Sequence, residues 1–179
     1  MSRQVWEELL LSPVIDATQI SNTTAETIMV PDTTIPANFF LAGRTLRVRM
    51  MAALSNVVTT PGTITFRVRW GGVSGTVLCA SAAIAMNTTA KTNSTALVEF
   101  HISCRVEANP GTLFAWGWVN LGASDTTAYL QHPVPDSGPA SVGSLDLTTA
   151  TSLSFTAQFS VNTSPTNWLT KEFKLESLN

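Results

Sequence analysis

In run after run of this 179-residue chain, apolar side chains recur at every second position. A period of two is what a strand with one buried face imposes. From Thr45 to Ala53, Leu46, Val48 and Met50 alternate with Arg47 and Arg49; from Thr63 to Trp70, Ile64, Phe66, Val68 and Trp70 alternate with Arg67 and Arg69. From Val98 to Val106 the inward set is Val98, Phe100, Ile102, Cys104 and Val106, and the outward set is Glu99, His101, Ser103 and Arg105. Asn109, Pro110 and Gly111 then turn the chain into a partner strand from Leu113 to Leu121. Thr151 to Val161 aligns Leu153, Phe155, Ala157, Phe159 and Val161, and after a turn at Ser164 and Pro165 the last strand, Trp168 to Ser177, aligns Leu169, Phe173 and Leu175. Shorter strands are expected at Thr27 to Val30 and Thr76 to Ala80.

Eight antiparallel strands without internal repeats predict an all-β chain, a single jelly-roll β-sandwich, with an immunoglobulin-like sandwich as the alternative. The Cys…Trp…Cys pattern of the alternative is absent. The expected division is an N-terminal arm over residues 1–26, extended or with one helical turn at Val5 to Leu11, and a sandwich over 27–179. Loops are expected at Ser81 to Thr95, Gly122 to Thr127 and His132 to Gly143, the last rich in proline. The expected core includes Leu46, Val48, Phe66, Val68, Phe100, Ile102, Phe155, Phe159 and Phe173.

Arginine placement constrains the topology. Were the strands at 45–53 and 63–70 a hairpin, Arg47 would face Arg69 and Arg49 would face Arg67, and like charges directly opposite destabilise a sheet. A jelly roll puts these two strands in opposite sheets. It is expected to set the third strand, 63–70, beside the last, whose outward Glu172 and Glu176 supply opposite charge.

Chemistry is sparse. Charged residues are 12% of the chain, against about 25% in ordinary soluble domains, and the net charge is −2, so there is no cationic field for nucleic acid. No run of eighteen apolar residues exists to cross a membrane as a helix, and no secretory leader is visible. Cys79 and Cys104 fit neither a zinc nor a redox motif and read as buried free thiols. His101 and His132 are the two imidazoles available, neither with a nucleophile in spacing. His101 and Cys104, three apart on a strand, point to opposite faces. The expectation is therefore a non-enzyme with no metal and no cofactor. Trp116 and Trp118 share one strand face with Phe114 and suit either a core or oligomer interface or a stacking surface for sugar rings. With Arg47, Arg49, Arg67 and Arg69, they are the interface candidates.

The stretch Thr34-Ile35-Pro36-Ala37-Asn38 through Gly43-Arg44-Thr45-Leu46-Arg47, followed by Thr63-Ile64-Thr65-Phe66-Arg67-Val68-Arg69-Trp70-Gly71-Gly72, resembles virion proteins of tailed bacteriophages. The ending is also similar, from Thr148 to Phe159 and then Phe173-Lys174-Leu175-Glu176-Ser177-Leu178, so the resemblance spans roughly residues 27 to 178. It implies a jelly-roll capsid decoration or cement protein, generally a homotrimer, on the outer surface of the head and bound to the major capsid protein. A tail-fibre or receptor-binding head that holds a glycan is the alternative. Without a shaft or a basic genome-binding arm, the cement role is favoured, with Trp6, Leu9, Leu10 and Leu11 as anchors on the capsid.

Overall fold

The computed structural model describes residues 7–57, 59–122 and 131–178, and among these all regular structure is strand. The strands are β1 (Glu7–Leu11), β2 (Ile20–Ser21), β3 (Thr27–Ile28), β4 (Thr33–Ile35), β5 (Thr45–Asn56), β6 (Thr63–Trp70) and β7 (Thr76–Ala80). They continue as β8 (Ile84–Ala85), β9 (Lys91–Val106), β10 (Gly111–Leu121), β11 (Gln131–Val134), β12 (Ser141–Leu145), β13 (Thr151–Phe159) and β14 (Asn167–Leu178). Two antiparallel sheets form a jelly-roll-like sandwich. The larger runs β1-β14-β5-β9-β10-β11, with β2 also on β14 and β12 also on β10. The smaller runs β3-β13-β6-β7, with β4 on β13 and β8 on β6.

Alternation decides which side chains meet between the sheets. Leu46, Val48, Phe66, Val68, Phe100, Ile102, Phe155, Phe159 and Phe173 are all buried, as their spacing requires. Phe100 of the larger sheet stacks on Phe155 of the smaller at 5.9 Å between ring centres, and Phe66 meets Trp168 edge-on at 5.2 Å. These contacts lock the layers together, and truncating such a ring to alanine costs about 3–5 kcal/mol. Trp168 is fully buried because its indole N–H has a partner: it donates to the Thr170 hydroxyl at 2.8 Å, which donates to the Met29 carbonyl at 2.8 Å. Asn56 is buried in the same way, its amide donating to the carbonyls of Val57, Asn87 and Thr89. It ties the 87–89 turn to the end of β5.

The first two long strands lie in opposite sheets, which removes the arginine clash, but the pairing differs from expectation. It is β5, the strand of Arg47 and Arg49, that lies beside the last strand, while β6 lies beside β13. Glu176 therefore faces Arg47, and neither Glu172 nor Glu176 serves Arg67 or Arg69.

Two expected loops are partly strand. β9 begins at Lys91 and pairs with β5 from Asn56 onward, so the segment to Thr95 is ladder rather than loop. Within the expected 132–143 loop, β11 and β12 each pair with β10, with Pro133 on the outer edge strand, where a missing N–H costs no ladder bond. Residues 123–127 of the third expected loop lie outside the described residues. Val106, expected inward, is exposed because the ladder shifts register at Thr112 and Leu113 as the hairpin ends.

Residues of the expected arm take part in the sandwich. β1 pairs with β14, Ile20 is in the core, and Leu10 and Leu11 pack against it.

Candidate functional site

The outer face of the larger sheet gathers four of the six interface candidates, Arg47, Arg49, Trp116 and Trp118. Across β14, β5, β9 and β10 the register sets Glu176, Arg47, His101 and Trp116 in one row, and Lys174, Arg49, Glu99 and Trp118 in the next. Glu176 is buried and accepts from Arg47 Nε at 2.8 Å and from Arg49 Nη2 at 2.6 Å, while Arg47 also bonds Glu7. Burial by itself raises the Glu176 carboxyl, but the hydrogen bonds and charges of the two guanidiniums together hold it below the usual carboxylate range. Arg47 is pushed up, first by its bond to Glu176.

The same device recurs on the smaller sheet. Glu26 accepts from Arg69 at 2.5 and 2.7 Å, from Arg67 at 3.2 Å and from the Thr156 hydroxyl at 2.5 Å. Burial raises its carboxyl, and Arg69, Thr156 and Arg67 together bring it lower than normal. Arg67 and Arg69 thus spend their donors inside the chain, with Gln158 and the Gly75 carbonyl taking two more. All four interface-candidate arginines are counter-charged by this chain's own glutamates, which accounts for their RxR spacing without a partner.

Trp116 and Trp118 do not enter the core. They stand on the outer face of β10 with Phe114, while the inward positions between them are Ala115 and Gly117. Gly117 has no room for a side chain, since a Cβ there would collide with the Glu99 carbonyl oxygen and the Phe100 ring. His101 stacks on Trp116 at 4.4 Å with 10° between the planes, and Trp116 and Trp118 lie 5.7 Å apart at 47°. The Glu99 carboxylate, 2.8 Å from His101 Nε2, fixes the imidazole, and Arg105 lies over the Phe114 ring at 4.7 Å.

Of the anchor candidates, Trp6 lies outside the described residues. Leu10 and Leu11 face the chain's own core, and Leu9 is exposed on the β1 edge. A stronger apolar protrusion follows immediately: Val14 is 98% and Ile15 78% exposed. Their loop is pinned behind them by the Asp16–Lys171 ion pair at 2.5 Å and by Ala17 N–H donating to the Thr170 carbonyl at 3.0 Å. A shallow depression lined by Pro13, Ile15, Pro31 and Phe173 adjoins it. The only sequence signal for this loop is an aliphatic pair following a proline, with no periodicity to assign it to a face.

Cys79 and Cys104 are free and buried, one in each sheet, and burial pushes the Cys79 thiol up to about 12. Among the described residues no group of three or more His, Cys, Asp or Glu side chains is placed to hold a metal ion, and no helix is long and apolar enough to cross a membrane. No protein-family model matches the sequence, and comparison with curated proteins finds no relative.

Proposed function

We propose that the protein is a non-enzymatic virion structural protein of the capsid decoration or cement type, binding the outer surface of a tailed-bacteriophage head as a homotrimer, with the major capsid protein as partner. The observation that carries the reading is the pinned loop at Val14 and Ile15. Val14 and Ile15 present apolar surface that a partner would remove from water, and the Ala17–Thr170 backbone bond and the Asp16–Lys171 pair tie their loop to β14. The sandwich behind them has Arg47, Arg49, Arg67 and Arg69 already paired with its own glutamates, which suits a passive clamp. The sequence resemblance supports the phage context. Attachment through a symmetric oligomer would multiply a weak loop contact by avidity.

Deleting residues 1–11 to remove the anchor candidates would be confounded, because it strips an edge strand from β14 and the Glu7 carboxylate from Arg47. The Val14→Asp/Ile15→Asp variant is the cleaner test. It is expected to keep the wild-type thermal midpoint and to lose attachment to phage heads in a sedimentation assay. Labelling should place many copies of the wild-type protein over the head. Undiminished attachment of the variant, or a few copies confined to the tail, would overturn the proposal.

A further inference from the structure

β10 inverts the usual distribution of bulk. Its inward positions include Ala115 and Gly117, and its largest side chains, Phe114, Trp116 and Trp118, point away from the core. A strand selected only for folding would bury the large rings and expose the small residues. The rings are also held in place, His101 against Trp116 at 4.4 Å and Glu99 against His101 at 2.8 Å. An ordered aromatic shelf with polar groups at its rim is what a sugar ring requires: its apolar C–H face stacks on an indole while its hydroxyls find donors and acceptors alongside.

We infer that the Trp116–Trp118–His101 shelf on the outer face of the larger sheet is a binding site for neutral pyranose oligosaccharides. His101 covers one face of Trp116, so the ligand would meet the indole surface that remains, with Trp116 39% exposed and Trp118 beside it at 5.7 Å and 47°, which suits successive rings of a twisted chain rather than one flat plane. Glu99 stands in register beside Trp118, and Arg49, in register with Glu99, keeps a guanidinium nearly half exposed at 46%, so an acceptor and a donor border the shelf. Neutral sugars fit better than anionic ones because the Glu99 carboxylate stands beside Trp118, and the two guanidiniums in the same rows, Arg47 and Arg49, already share the Glu176 carboxylate. A second protein molecule fits less well. Apolar side chains of this face, the two indoles with Met51 and Leu97 in the next row, are interspersed with Glu99, His101, Arg49 and Glu172, whereas a stable interface covers about 800 Å² on each partner around an apolar centre.

The inference does not rest on the capsid reading and stands or falls separately. The test is NMR titration of the indole N–H signals with cello-, manno- and chito-oligosaccharides of two to four rings. Saturable shifts of the Trp116 and Trp118 signals are expected, with Kd about 1 mM for at least one series. Trp116→Ala and Trp116→Leu should each weaken binding about tenfold or more at an unchanged thermal midpoint, the leucine keeping apolar bulk without a ring face. No indole shift with any series at about 10 mM, or shifts that survive both substitutions, would refute the site. So would dissociation of an oligomer by Trp116→Ala, which would assign the shelf to a contact between copies.

Discussion

Glu176 and Glu26 serve opposite faces of the sandwich in the same way, each a largely buried carboxylate shared by two arginines spaced two apart on one strand. Both carboxyls titrate below their ordinary value of 4.5 in the folded chain. A carboxyl lowered by folding contributes stability that is complete above its unfolded pKa and is lost as pH falls through its folded pKa. Stability is therefore expected to hold from neutrality down to about pH 5 and to decline below about pH 4.5. Glu176→Gln should lower neutral-pH stability by about 1.5–3 kcal/mol, because it weakens two charge-assisted bonds and leaves two guanidiniums facing each other. It should also flatten the acid limb, since the difference between variant and wild type shrinks once the native carboxyl is protonated. Denaturant unfolding at pH 7 and pH 3 reads both effects, and an equal loss at the two pH values would show that Glu176 acts by packing alone. The need for such carboxylates was legible in the alternating arginines. Their identity was half legible: Glu176 is in register on a recognisable strand, whereas Glu26 precedes β3 and reaches Arg67 and Arg69 only through tertiary folding.

At the scale of elements, the strands that the sequence displayed are those with one face in the core and polar residues on the other. β6, the central part of β9 and the first half of β5 alternate because every second residue must be apolar, while β13 alternates in residue type although its outward Ser154 and Thr156 are buried, donating to Asp32 and Glu26. The first residues of β9, Lys91 to Thr95, are all at least partly exposed, so no alternation survives there, and Asn93 adopts the left-handed backbone at φ 51° beside a register shift. β11 and β12 are short and only border β10, so a few residues of pattern are hidden among prolines and glycines. Ala108, in the β9–β10 connection, has φ 101°, a conformation that suits glycine and strains alanine. Ala108→Gly is accordingly expected to stabilise the protein by about 1 kcal/mol, strain relief exceeding the extra unfolded-state entropy. Gly117→Ala should do the opposite, by about 1–3 kcal/mol, since its Cβ has no space against β9. Paired chemical-denaturation curves decide both, and a neutral Gly117→Ala would mean that β9 and β10 can separate locally without cost.

For the whole molecule, the question is whether two sheets with different outer faces unfold as one unit, and the two thiols are placed to answer it. Cys79 lies on β7, at the edge of the smaller sheet, and Cys104 on β9, inside the larger one. Each is buried in the shared core, and β7 approaches β10 across the sandwich, so the edge strand is not an independent flap. A thiol is modified only as thiolate and only when reached by reagent. Burial both hides Cys79 and pushes its pKa up to about 12, and it raises Cys104 as well, helped by the Glu107 charge. Neither cysteine should react with a soluble alkylating reagent at pH 7 in the native state, and reducing agent should leave thermal stability unchanged. Because the rings that fill the space between the sheets belong to both, the loss of one sheet exposes the core of the other, which favours a single cooperative transition. The two thiols should therefore become reactive at the same denaturant midpoint, read by mass spectrometry of peptides after pulsed alkylation. Modification of Cys79 at clearly lower denaturant than Cys104 would instead show that β7 and its neighbours open as a separate unit, and that the sandwich is held together mainly by the larger sheet.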